Sequence, residues 1–417
     1  MVAQAMAEKI LASHSGRKEV RPGEFVIASV DGSLAHDGGV REIPKLLEEL
    51  GVTELKVPFV VTLDHFAPAP NHYYAEVHKK GREYCEKQGV PLNDVCTGIH
   101  LQLPIEAGMC LPGMLFVGGD SHTTMLGALG ALATGVGGSE VAAILATGRL
   151  WFKVPETIRV NLTGKLPDMC MGKDAILHIL RDLKTTGASY KVLEFGGEGL
   201  GSLTMDARLS MANMAVEMDG KAGIFEADGT TLEYLRTVTD KPLERFGPDP
   251  GAGYKEVYEL RLSDVEPLAT CPPRIDNVKP IREIEGKRID QALVGTCTNG
   301  RLEDIRIAAG IVKGKRIARH VRFFVCPASQ KVFRQALDEG LVAALADAGA
   351  VFLPPSCGPD CGLHLGMLAD GEVEIGSSNR NTAGRRGSFK AEIYSASPAT
   401  VAASAVEGRI TDPRKFA

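Results

Sequence analysis

Short apolar runs recur along the chain at residues 25–30, 114–117, 158–160, 293–294, 321–325 and 351–353, and the stretches between them return apolar residues at helical spacing. Brief runs without polar alternation predict buried strands, and strands alternating with helices predict an α/β protein built on largely parallel sheets. The pattern is clearest in the last third. One strand is expected to end at Cys297, a helix to run from 302 to about 312, a second strand to end at Cys326 and a third just before Cys357. Ligands of open α/β sheets collect beyond the carboxyl ends of the strands, which is where these cysteines fall. Pro155, after a helical stretch, and Cys-Pro-Pro-Arg at 271–274 interrupt the pattern, giving three expected α/β/α domains: 1–154, 155–273 and 274–417. No repeat, heptad run or low-complexity tract is present.

The length, 417 residues, exceeds one ordinary core and agrees with two or three domains. A net charge of −5, with Lys and Arg scattered among acids, gives no footprint for nucleic acid or an acidic membrane surface. No apolar run reaches the ~18 residues that span a bilayer. Nine cysteines, with no basic-then-apolar leader at the start, point to a soluble protein of the reducing cytoplasm, without disulfides. Forty-seven glycines against one tryptophan predict many tight loops, where chemistry is usually carried.

Three cysteines carry the strongest chemical signal: Cys297 in Val-Gly-Thr-Cys-Thr-Asn-Gly, and Cys357 with Cys361 in Ser-Cys-Gly-Pro-Asp-Cys-Gly. Three thiolates from separate loops can hold an iron–sulfur cluster and leave one iron open as a Lewis acid. Gly295, Gly300, Gly358 and Gly362 bracket the thiols, so the backbone can bend tightly and present N–H groups to sulfur. A single buried cysteine is more often a small hydrophobe, and the Gly-flanked pair weighs against that here. Zinc is the alternative metal; a closed site would need a fourth ligand, for which Asp360 or His364 is at hand. Cys326 lies on the same rim, with packing as its expected role and ligation in reserve.

Two acid–imidazole units follow apolar stretches, Asp64-His65 and Asp120-Ser121-His122. A carboxylate beside a histidine fixes its tautomer and raises its pKa toward general-acid use, although a lone pair of this kind is more often structural. Arg380 and Arg385, separated by small residues, suit bidentate capture of a substrate with two carboxylates; the bland reading is a solvated basic turn. Gly135-Val136-Gly137-Gly138 lacks the Lys-Ser/Thr of a phosphate loop and predicts tight helix packing.

With these residues assembled, the chain resembles the large catalytic subunits of the aconitase superfamily, of the 3-isopropylmalate dehydratase and homoaconitase type. The likeness runs almost end to end. It includes Asp64-His65 with Pro68-Ala69-Pro70, Asp120-Ser121-His122-Thr123-Thr124 and Asn213-Met214-Ala215-Val216-Glu217. It continues through Gly295-Thr296-Cys297-Thr298-Asn299-Gly300, Asn379-Arg380-Asn381, Gly384-Arg385 and Ser397-Pro398-Ala399-Thr400. The resemblance implies a [4Fe–4S] hydro-lyase acting on a hydroxy di- or tricarboxylate, a place in leucine biosynthesis if the substrate is 3-isopropylmalate, and the following residue roles. His65, positioned by Asp64, would protonate the leaving hydroxyl. His122, supported by Glu217 with Asp120 and Ser121 beside it, would hold a water network. Arg380 and Arg385 would grip carboxylates, with Asn379 and Asn213 hydrogen-bonding nearby and His36 at the cavity edge. The family's remaining groups, including a serine that takes the carbon-bound proton, lie on a small swivelling domain, expected here as a separate subunit supplied in trans.

The sequence departs from the family pattern in three places. Family members close the cluster loop as Cys-Gly-Pro-Cys, whereas this chain has Cys357-Gly358-Pro359-Asp360-Cys361 with Gly362, His364 and Gly366 still in step. Either Cys361 reaches the metal after a local shift or Asp360 is the ligand, which would hold iron less softly or favour a mononuclear metal. The family's histidine before a glutamine is displaced to His100 in Gly98-Ile99-His100-Leu101-Gln102, and strand alternation would turn it away from the cavity unless the loop rearranges. Met125 and Leu126 replace polar or aromatic residues and are expected at the active site. These changes also admit a diverged hydratase acting on another substituted malate, maleate or homocitrate, or a metal-binding homologue without catalysis.

Overall fold

The structure is a computed structural model that describes residues 2–362 and 364–417. The first apolar run does not enter a parallel sheet. β1 (Phe25–Ser29) pairs antiparallel with β7 (Arg149–Lys153) in a separate ribbon, with Phe25, Ile27 and Trp151 exposed on one face. A run with apolar residues on both faces hides the alternation that marks a half-wet strand, so periodicity alone read it as fully buried.

β2 (Gly32–His36), β3 (Phe59–Thr62), β4 (Leu92–Asn93), β5 (Leu115–Gly118) and β6 (Leu132–Gly135) form a parallel sheet in the order β4-β3-β2-β5-β6. β8 (Glu156–Thr163), β9 (Lys191–Gly196), β10 (Ala222–Phe225) and β11 (Glu256–Arg261) form a second parallel sheet, β10-β9-β8-β11. The third holds β12 (Leu268–Thr270), β13 (Val278–Pro280), β14 (Gln291–Gly295), β15 (Arg322–Cys326), β16 (Val351–Phe352), β17 (Val373–Gly376) and β18 (Glu392–Ala396), ordered β13-β12-β18-β17-β14-β15-β16. It is parallel from β18 to β16, with β12 and β13 joined antiparallel at one side. β12 lies ahead of the expected 273/274 boundary and pairs within this last sheet, so the chain enters it before Cys-Pro-Pro-Arg.

β3, β5 and β14 are buried along their whole length, as strands covered by helices on both faces must be. The helix Leu302–Val312 supplies one such cover. Ile305, Ala308, Ala309, Ile311 and Val312 make its inward stripe, and Asp304 accepts the Arg301 backbone N–H at 3.0 Å to close its first turn. Each fully buried Leu, Ile or Val adds about 1.5–3 kcal/mol. Cys297 and Cys357 belong to the apolar cluster that joins the first two sheets. Among the described residues no helix is long and apolar enough to cross a membrane.

Strand order reverses between β2 and β5 in the first sheet and between β14 and β17 in the third. Loops diverge at such switch points and leave a crevice beyond the carboxyl ends. The two crevices meet: Arg380, beyond β17, donates from Nη2 to Ser121 Oγ, beyond β5, at 3.2 Å, and beside them the Cys357 backbone N–H donates to the Asp64 carbonyl at 3.0 Å.

Candidate active site

Asp64 follows β3 and Asp120 follows β5, each two residues past the strand end. Asp64 is fully buried and accepts from His65 Nδ1 at 2.9 Å, His100 Nδ1 at 2.8 Å and the His100 backbone N–H at 3.0 Å. One carboxylate therefore fixes the tautomer of two imidazoles, and the Nε2 atom of each ring faces Asp120 at 3.7 Å. His36 stacks on His65 with centroids 3.8 Å apart and accepts the Gly38 N–H at Nδ1.

His100 thus faces the cleft, against the expectation from strand alternation. The segment before it is a loop, bridged at Gly98 to Ser329, and a helix, Gln102–Glu106, begins just beyond; period-two geometry does not apply there. Met125 and Leu126 are fully buried in the apolar cluster that includes Cys297, and Met125 Sδ packs on Arg301, which donates to the Cys297 carbonyl.

Burial pulls His65 and His100 down, but the Asp64 charge, with Asp120 beside it, outweighs burial and carries each up to about 9. Burial raises Asp64 less than the two imidazoles lower it, so its carboxyl lies well below the usual range. For His36, burial and the neighbouring His65 charge lower the pKa.

Asp120 caps the turn-rich segment Ser121–Leu129 by accepting the His122 N–H at 2.7 Å. His122 Nε2 pairs with Glu217 at 2.8 Å; burial lowers this imidazole, and the Glu217 hydrogen bond together with the Cys297 and Glu217 charges more than offsets it. Glu217 also accepts from Arg380 Nε at 3.0 Å, and Arg380 Nη2 donates to Ser121 Oγ at 3.2 Å. Gly135, the end of β6, is required here: a Cβ would lie 2.3 Å from the Asp120 carbonyl.

Cys297 sits on the helical turn Thr296–Asn299, beyond the end of β14 rather than on the strand. Its Sγ accepts from Asn379 Nδ2 at 3.3 Å, and the same amide donates to Asn213 Oδ1 at 3.1 Å. Cys357 is buried beside it. The Cys357 thiol, then burial, push Cys297 well above the ordinary thiol range when no metal is bound. Two metal-capable groups share Cys357, one with Cys297 and Asp360 and the other with His65 and Cys361, the donor atoms of each lying within 4.8 Å of one another. Cys326 donates to the Pro354 and Ser356 carbonyls, a packing role, and neither it nor His364 joins a metal-capable group among the described residues. Arg385 is half-buried, with Nη2 3.6 Å from Asp360.

A profile of the aconitase family (aconitate hydratase) matches residues 43–287 and 277–408. The chain belongs to the aconitase family. Among its relatives, the 3-isopropylmalate dehydratase large subunit 1 of Archaeoglobus fulgidus is 46% identical, with 100% of each chain covered. The protein of the same name from Methanopyrus kandleri is 43% identical over 99% of each chain. A Methanothermobacter thermautotrophicus chain named "Probable methanogen homoaconitase large subunit" is 41% identical over 100% of this chain and 99% of its own.

Three residues of this aconitase-family cleft were missed by sequence reasoning. Asp37, fully buried after β2, accepts the His65 and Phe66 N–H groups and His78 Nε2. Lys173, also fully buried, donates to the Ser377 and Ser378 carbonyls at 3.3 and 2.8 Å, fixing the turn that leads to Asn379 and Arg380. Burial lowers it to about 8 against the pull of Asp360, Glu217 and Cys297. Arg386 pairs with Glu374. Asp37 stands directly after His36, an acid–imidazole signal of the kind used for Asp64; nothing local marks Lys173 or Arg386.

Proposed function

We propose that this chain is the large, catalytic subunit of an iron–sulfur hydro-lyase that removes and re-adds water on a hydroxy di- or tricarboxylate of the 3-isopropylmalate type. The observation that carries the reading is one cleft, shared by two sheet crevices, in which buried acid–imidazole pairs, Arg380 and the buried thiols Cys297 and Cys357 converge. The donors fit an iron centre: they are buried, combine sulfur with a carboxylate, and include an Asp360 oxygen with no hydrogen-bond partner. Cys297, Cys357 and a third residue, Asp360 or Cys361, would hold a [4Fe–4S] cluster, which would supply a Lewis acid for the substrate hydroxyl.

His65, carrying its proton and held by Asp64, protonates the departing hydroxyl from Nε2. His122 with Glu217, Asp120 and Ser121 orders the water that leaves and returns. Arg380 and Arg385 bind the substrate carboxylates, Arg380 exchanging its hold on Glu217 for one of them. Asn379 and Asn213 lie beside Cys297, and His36 closes the cleft edge over His65. The relatives are named large subunits, which supports a small swivel-domain subunit supplied in trans. The setting is a soluble cytoplasmic heteromer of amino-acid biosynthesis, its large subunit divided into three α/β units. The loop departure at Asp360 favours a second substrate class, another substituted malate, maleate or homocitrate. The many buried polar groups of the cleft weigh against a protein without catalysis.

The test is anaerobic reconstitution with a small subunit of this type, followed by the appearance of the carbon–carbon double bond in the ultraviolet. Turnover of 3-isopropylmalate is expected. A protein with a full cluster and its partner that turns over none of these acids overturns the proposal.

A further inference from the structure

Resting on the metal-centre reading above, we infer that Asp360, and not Cys361, is the third protein ligand, so that the donor set is Cys297, Cys357 and Asp360. The residues Gly358–Cys361 form one helical turn. At 3.6 residues per turn, the side chains three and four places after Cys357 lie about 100° apart on either side of it. Only one of them can share the side that Cys297 occupies. Asp360 does so, its carboxylate oxygen lying within 4.8 Å of both thiols. Cys361 Sγ points to backbone carbonyls instead, donating to Cys357 at 3.2 Å and to Gly358 and His65 at 3.6 Å.

Two further observations hold that assignment. Asp360 is 1% exposed, yet its Oδ1 has no hydrogen-bond partner. Such an oxygen is costly to bury unless something binds it. A structural ion pair is the bland alternative. Arg385 and Arg386 do stand at ion-pair distance, 3.6 Å from Oδ2 and 3.9 Å from Oδ1, but neither donates a hydrogen bond to Oδ1, and Arg386 gives its short contact to Glu374. These cations balance the charge of Asp360 without filling its lone pairs. The register is also fixed. Gly362 has φ +64° and lies so close to the Arg385 carbonyl that a Cβ would approach it to 1.6 Å. A one-residue slip bringing Cys361 toward Cys297 would place a side chain where only glycine fits.

A carboxylate carries the same charge as a thiolate but is a harder donor, so the metal at this corner is held less tightly. The test uses the full chain reconstituted anaerobically, with iron and acid-labile sulfide counted and electron paramagnetic resonance recorded after mild oxidation. Cys361→Ala is expected to match the parent chain in iron, sulfide and spectrum. Asp360→Ala and the isosteric Asp360→Asn are expected to lose about half of the iron or more, and Asp360→Cys to retain it with an altered spectrum. Loss of the metal from Cys361→Ala with retention in Asp360→Asn overturns the assignment alone. A parent chain that takes up neither iron nor sulfide overturns the metal-centre reading together with it. One iron without sulfide, lost on Asp360→Asn and kept in Cys361→Ala, supports the donor set and overturns the cluster.

Discussion

A single carboxylate, Asp64, accepts from two imidazoles, and both rings keep their protons up to about pH 9. Their pKa values are raised in the fold, so they stabilise it fully below the ordinary imidazole value of 6.5, and this contribution fades as pH rises through about 9. Dehydration that uses His65 as its acid should show an alkaline limb in kcat near pH 9. Asp64→Asn removes the largest of the charges that together offset burial; the limb should move toward neutral pH and kcat should fall by about 10²-fold or more, with iron content unchanged. Lys173→Met leaves the Ser377 carbonyl without its buried donor and Ser378 with Ser395 alone, and urea unfolding should register a loss of about 1–3 kcal/mol. Asp64-His65 and Asp120-Ser121-His122 were legible because acid and imidazole adjoin in sequence. Lys173 was not, because the carbonyls it holds lie 204 and 205 residues away and a lone lysine in a helical stretch carries no local mark.

At the level of elements, the loops after β2, β3, β5, β14, β16 and β17 carry most of the cleft chemistry, while the strands set only their spacing. Gly135 shows how narrow that spacing is. Gly135→Ala places a methyl group 2.3 Å from the Asp120 carbonyl, and a fall of about 1–3 kcal/mol in stability is expected from thermal unfolding, together with weakened turnover. The helix at 302–312 was legible, since its apolar stripe is a local signal. The reach of β14 was not: Gly295 and Thr296, with φ of +151° and +70°, break the strand before Cys297, and that break depends on tertiary packing. β1 misled for a different reason, because Phe25 and Ile27 look like core in any linear reading and are exposed in the ribbon.

For the whole molecule, two switch-point crevices from sheets far apart in the chain meet at one site, and the proposed function assigns the rest of that site to a small subunit. The isolated, metal-loaded chain should therefore bind substrate weakly and turn it over only when the small subunit is added, a contrast that titration with that subunit measures directly. The ribbon lies at the other end, joined where β2 and β5 begin, through Val30 to Gly148 and Asp31 to Leu115. It carries Trp151, the only tryptophan in the sequence, with 61% of its surface in solvent. Intrinsic indole fluorescence of this protein is thus a lamp fixed to its back: its emission colour and acrylamide quenching report what touches the ribbon, and stay constant while chemistry proceeds in the cleft.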